Sequence, residues 1–226
     1  MTIDQKIPYL QDYSFFCCVA LRGVAYYDEC DSSVAKLPEP PESLESQAAS
    51  ALQQGEIKAS LTLLMEAYGD EIYRHCRQVV GDDGMAADVQ QTVFVQAYRD
   101  LPRFQARSSF RTWLYAIARN RCLDAIKIQK RRQWRFRLGL VTREQPDLGP
   151  DVPTRLHSQA LGAALDRALA TLKPEVRIAV LLRYRDSMSY DEMAQVCGAA
   201  PATLQARVTR ALPKLKKALE KYGGEL

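Results

Sequence analysis

An all-α fold is what this sequence predicts, and three observations predict it. From Glu56 onward apolar residues recur at three- and four-residue intervals, the period of an amphipathic helix. Alternating strand patterns, and Asn-Gly or Asp-Gly turns set between such strands, are missing. The breakers fall between the periodic segments, at Gly81, Pro102, Pro174 and Gly198. A chain of 226 residues with 47% hydrophobic content has material for one or two real cores and is not wholly disordered.

Residues 1–55 differ in kind from the rest of the chain. They carry eight Asp/Glu against three Lys/Arg, and Leu37-Pro38-Glu39-Pro40-Pro41 reads as a stiff linker. The apolar run from Phe15 to Tyr27 fits a short helix or a strand; it is broken by Arg22 and too short to span a membrane. This arm is an extension without a specific role, an acidic shield or regulator contact, or a redox element built on Cys17, Cys18 and Cys30.

The first helical module is expected over 56–132. Leu61, Leu64, Tyr68, Ile72, Cys76 and Val79 make Glu56–Val80 a packing helix, with His75 at the surface or the core edge. Gly81-Asp82-Asp83-Gly84 ends it and places negative charge at the start of the next helix, where the macrodipole favours it. In that next helix Phe94, Ala97, Tyr98 and Leu101 share one face, while Asp88, Gln91, Thr92, Val95 and Arg99 share another. Pro102 opens a loop, and Ser108 or Ser109 caps a helix beginning at Phe110. There Phe110, Trp113, Leu114 and Ile117 pack, and Asn120, Asp124, Lys127 and Arg131 form a separate charged stripe.

Residues 133–157, with Pro146, Gly149, Pro150 and Pro153, read as a linker, and a second module is expected over 158–222. Leu161, Leu165, Leu169 and Leu172 mark an apolar face, and Pro174 suits a first helical turn. Ser189-Tyr190-Asp191-Glu192 is a capping box for a helix that ends at Gly198. With a further helix starting near Pro201, this is a helix-turn-helix. On that last helix Leu204, Val208, Ala211 and Leu215 pack, and Thr203, Arg207, Arg210 and Lys214 form the adjacent face, suited to bases and phosphates. Pro213 predicts a kink or an end near Leu212, with Lys214, Lys216 and Lys217 on a redirected segment.

Charge is distributed unevenly. The whole chain is +4, yet Arg99 to Arg137 holds twelve Lys/Arg against two Asp/Glu, interleaved with Phe104, Trp113, Tyr115 and Trp134. Positive charge tracks phosphate and planar rings stack on unpaired bases, so this segment points to nucleic acid. Six scattered cysteines without a C-x-x-C pair, and two histidines, give no zinc spacing; a reducing cytosol fits them. No phosphate-cradling glycine loop or nucleophile motif is present, so neither an enzyme nor a cofactor is implied.

The run of Asp88, Gln91, Phe94 and Leu101, followed by Phe110, Trp113, Leu114, Ile117, Ala118, Arg119, Asn120 and Asp124, resembles the second conserved region of bacterial sigma factors. The Ser189-Tyr190-x-Glu192-x-Ala194 start, with Thr203, Arg207, Arg210 and Ala211, resembles their fourth. The likeness is to the small extracytoplasmic-function (ECF) type of the sigma-70 family and covers roughly 56–132 and 158–222. It implies that Asp88, Gln91 and Phe94 grip a coiled coil of the largest subunit of core RNA polymerase. It further implies that Arg103, Phe104 and Arg107, in the loop, and Asn120, Lys127, Lys130 and Arg131, on the helix, capture and open the −10 element. Thr203, Arg207, Arg210 and Lys214 would read the −35 element. An anti-sigma factor is a common partner of the type, and no membrane insertion is implied. Lys127-Ile128 stands where the family commonly has paired arginines, and Ala200 stands where a capping Ser is usual, weakening that helix start by about 1 kcal/mol. The rival is a plain helix-turn-helix regulator that binds operator DNA without polymerase.

Overall fold

The computed structural model describes residues 42–138 and 156–219, and every regular element within them is helical. These residues fall into two compact bodies. The first comprises α1 (Glu42–Gln53), α2 (Ile57–Val80), α3 (Asp83–Asp100), a 3₁₀ turn (Leu101–Arg103) and α4 (Phe110–Arg137). The second comprises α5 (Leu156–Ala170), α6 (Pro174–Tyr184), α7 (Tyr190–Cys197) and α8 (Pro201–Leu219). The apolar run 15–27, Cys17, Cys18, Cys30, the proline cluster and the prolines at 146, 150 and 153 lie outside the described residues.

The first body begins at Glu42, not at 56. Helix α1 packs on α2 through Ala48 and Ala51, which are buried, and the Ser60 hydroxyl donates to the Ala48 carbonyl at 2.8 Å. Its core side is made of alanines, whose small apolar area gives a weak periodic signal in a segment otherwise rich in Ser, Gln and Glu. Gly55, at φ 78°, makes the turn into α2.

Along α2, Leu64, Tyr68, Ile72, Cys76 and Val79 are buried as the period predicts, and Leu61 is half-buried. His75 is fully buried, with the edge of the Tyr115 ring 4.9 Å away, rather than at the core edge. The helix stops at Gly81, whose left-handed backbone lets its N–H donate to the Arg77 carbonyl. Asp82 then caps α3, its carboxylate accepting from the Met85 N–H at 2.7 Å, and Arg77 pairs with Asp83. The buried face of α3 is Ala86, Val89, Val93, Phe94 and Ala97, continued by Leu101. That stripe is centred away from Tyr98, which is 41% exposed instead of joining the core.

In the second body Leu165, Leu169 and Leu172 are buried as expected; the Leu161 side chain lies outside the described set. Arg177 closes the end of α5, its Nε donating to Leu169 O and Nη2 to Ala170 O, both at 2.9 Å. The capping box forms in full: Ser189 Oγ accepts from Glu192 N–H at 3.2 Å and Glu192 Oε2 from Ser189 N–H at 2.8 Å. Gly198, at φ 62°, ends α7. The Ala200 carbonyl accepts from the Thr203 and Leu204 N–H groups as α8 begins.

Helix α8 does not end near Leu212. It runs through Pro213 to Leu219, so Lys214, Lys216 and Lys217 belong to the same helix and not to a redirected one. Leu212, Leu215 and Leu219 are buried while Pro213 is exposed, so the apolar stripe holds the helix across a missing N–H whose acceptor would be the Thr209 carbonyl. Pro213→Ala restores that donor without touching the core. It should raise the stability of the second body by about 1–3 kcal/mol, read as a higher midpoint in urea followed by circular dichroism.

Candidate nucleic-acid and polymerase interface

The outward stripe of α3 is the one the pattern predicts. Asp88, Gln91, Thr92, Val95 and Arg99 are all exposed, and the Thr92 hydroxyl donates to the Asp88 carbonyl. Phe94 is 5% exposed and packs inside the bundle. Of the three residues matched to polymerase binding, Asp88 and Gln91 therefore offer side chains to a partner, and Phe94 supports the helix from beneath.

The loop after α3 turns on the 3₁₀ segment and on Ala106, at φ 52°. Ser109 is the residue that caps α4, its hydroxyl accepting from the Thr112 N–H at 3.1 Å. Arg103 and Arg107 are exposed. Phe104 is half-buried, stacked on Phe110 at 4.4 Å and tilted against Trp113 at 5.1 Å. It is the outer member of a three-ring cluster and not a free plate. Tyr115 is fully buried, its hydroxyl donating to Glu71, so it is no stacking surface at all.

Beneath this loop lies a polar cluster that sequence patterns did not reveal. Glu45 of α1 accepts from the Phe110 N–H at 3.3 Å, in the first turn of α4. Glu71 of α2 accepts from Arg111 Nε at 2.9 Å and from the Tyr115 hydroxyl at 3.0 Å, and the Arg111 guanidinium lies 5.3 Å over the Tyr115 ring. Burial, then the neighbouring Glu45 and Glu71 carboxylates, hold the Tyr68 hydroxyl well above the usual phenol range. Deeper still, a hydrogen bond with Cys76, and then burial, push the Cys122 thiol up, which makes it a packing residue and not a nucleophile.

On α4, Asn120, Lys127, Lys130 and Arg131 are exposed. Asp124 stands between Arg121 and Lys127, 3.4 and 3.9 Å away, and Asn120 Oδ1 accepts from Arg119 at 2.9 Å. On α8, Leu204, Val208, Ala211 and Leu215 are buried; Thr203, Arg210 and Lys214 are exposed and Arg207 is half-exposed. The helix holds no acidic residue, so that face offers donors and positive charge only.

Comparison with known proteins bears on these two bodies separately. The Sigma-70 region 2 family matches residues 64–132 and the Sigma-70 region 4 family matches residues 162–215. Two such modules in this order define a sigma-70-type factor of RNA polymerase. The ECF RNA polymerase sigma-E factor of Escherichia coli (strain K12) is 31% identical over 166 residues, covering 71% of this chain and 86% of that protein. The ECF RNA polymerase sigma factor SigE of Mycolicibacterium smegmatis is 30% identical over 165 residues, 72% of this chain but 62% of its own length. Among solved structures, the sigma factor RpoE of Bartonella quintana, determined in complex with the anti-sigma factor NepR, superposes with a TM-score of 0.54 at 25% identity, covering 73% of this chain and 97% of that one. The chain belongs to the ECF RNA polymerase sigma factors, the class that directs promoter-specific initiation. The operator-binding regulator is not favoured, since region 2 has no place in it. Among the described residues no helix is long and apolar enough to cross a membrane.

Proposed function

We propose that the first body docks on core RNA polymerase through the exposed stripe of α3 and engages the −10 element through the loop after Pro102 and the outer face of α4. The second body places Thr203, Arg207, Arg210 and Lys214 of α8 against the −35 element. The observation that carries this is the sorting of faces: on each helix the polar residues matched to the family are exposed, while their apolar neighbours are buried. The protein works in the cytoplasm by binding and positioning, with no reaction of its own. Opening DNA without ATP costs a few kcal/mol per unstacked step. Arg103, Arg107, Lys127, Lys130 and Arg131 offset that cost through phosphates of the separated strand, with the Phe104 cluster as the apolar surface beside it. An anti-sigma factor, the type of partner the Bartonella relative was solved with, would cover the same faces.

Run-off transcription with purified core polymerase on a promoter library tests the proposal. Asp88→Ala with Gln91→Ala should weaken core association by about tenfold or more, since two central contacts are lost. Both side chains are exposed, so the melting temperature should stay put. Unchanged core affinity would move the polymerase contact elsewhere. A truncation that tests the acidic arm has to begin at Glu42, because a start near Ser50 also removes Glu45 and Ala48 from the fold.

A further inference from the structure

Helix α4 outlasts the family. The region 2 match ends at 132, yet the helix continues to Arg137. From Ala125 to Leu138 there are six basic residues, Lys127, Lys130, Arg131, Arg132, Arg135 and Arg137, and no acidic one. In a core-packed helix this length would bury a stripe; here Gln133, Trp134, Arg135, Arg137 and Leu138 are all exposed, Trp134 by 62%. Within its own body the last turn and a half therefore has no packing role to explain its tryptophan or its charge.

We infer that this extension is a second DNA contact, a clamp on double-stranded backbone adjoining the opened −10 segment on its −35 side. The inference rests on the proposed use of α4 as the −10 reader. Two observations select duplex DNA as the occupant. The first is charge: an unbroken positive stretch matches a duplex with one phosphate charge per about 1.7 Å of axis, and the about 9 Å from Arg132 to Arg137 passes about five of them. The second is continuity: Lys127, Arg131 and Arg135 succeed one another at four-residue steps, so the stripe matched to −10 reading runs straight into the extension. Chain order supplies the direction, because the helix leads into the segment that joins the −35-reading body. Arg132, Arg135 and Arg137 would meet phosphates, and Trp134 would lie against the sugars between them.

The test compares holoenzyme carrying the full-length chain with the same holoenzyme carrying Arg132→Gln/Arg135→Gln/Arg137→Gln, or Trp134→Ala. Promoter affinity is measured from low to moderate salt on two fragments, one with duplex continuing from the −10 element towards −35 and one ending at the edge of that element. On the long fragment the triple variant should bind at least about tenfold more weakly, and the slope of log K against log salt should shrink by about three, at ~0.9 per phosphate contact. Trp134→Ala should weaken binding at every salt with the slope unchanged, and on the short fragment all three proteins should bind alike. An unaltered slope would overturn the inference. So would an equal loss on the short fragment, which would assign the arginines to the opened strand, or a loss of core-polymerase affinity, which would assign them to protein. If the unaltered chain gives no promoter-dependent initiation, the underlying reading fails instead, so the two failures are distinguishable.

Discussion

Replacing Asp186 with alanine is expected to unfold the second body and leave the first standing. Asp186 is fully buried and Arg185 nearly so, and the Arg185 Nε donates to Asp186 Oδ1 at 2.8 Å in the turn between α6 and α7. Removing the carboxylate leaves a buried guanidinium short of its counter-charge, a loss of about 3–5 kcal/mol. Whole domains are stable by about 5–15 kcal/mol, and small ones sit at the low end, so a loss of that size removes most of what holds α5 to α8 together. Both tryptophans, Trp113 and Trp134, lie in the first body, which gives the two bodies separate signals. Tryptophan fluorescence should show an unchanged urea transition, while helical circular dichroism loses amplitude before any urea is added. Replacing both partners by apolar residues of similar size, Arg185→Met with Asp186→Leu, should recover most of that amplitude. If the single variant keeps its full helical signal, the ion pair is not what anchors the turn.

How much of the fold and the site was legible in the sequence divides by the kind of signal. Helix faces were read well wherever large apolar side chains set the period: the outward row of Asp88, Gln91, Thr92, Val95 and Arg99 and the inward row of Leu204, Val208, Ala211 and Leu215 stand where the spacing put them. Caps were read where a polar side chain and its backbone donor are three residues apart, as at Ser189 and Ser109. Helix α1 escaped because its contacts are alanines and one serine hydroxyl, which leave little hydrophobic contrast. The break expected at Pro213 did not occur because tertiary burial of three leucines outweighs one absent hydrogen bond, a competition that local propensity does not include. Aromatic chemistry was the least legible. Tyr115, Phe104 and Trp134 look alike in a sequence, yet one is buried on a carboxylate, one is packed in a ring cluster and one is open to solvent. Pairings such as Glu71 with Arg111, forty residues apart, arise only from the packing of α2 on α4.

That pairing carries the other large expected effect. Glu71, on α2, is the acceptor that Arg111 and Tyr115 share, and with Glu45 it fixes the first two turns of α4 from below. Its carboxylate is 15% exposed and the Arg111 side chain 21%, so solvent can replace only part of what Glu71→Ala removes. The loss should be about 2–3 kcal/mol, because charged hydrogen bonds in a part-buried site are costly to leave unmade. It should appear in tryptophan fluorescence, since Trp113 lies on the same turns, and it should leave the second body's transition where it was. The functional consequence depends on the role of those turns as a support. Phe104 rests on Phe110 and Trp113, so loosening the start of α4 loosens the ring cluster beside the loop assigned to the −10 strand. Below the melting range, holoenzyme with Glu71→Ala should still associate with core polymerase and promoter, yet opening, followed by a fluorescent base in the −10 segment, should slow by about tenfold or more. Glu71→Gln, which keeps an acceptor and the side-chain volume, should lie between the two. If opening slows only in step with lost core or promoter binding, the carboxylate has a general structural role, and the first turns of α4 are not what positions the loop for strand capture.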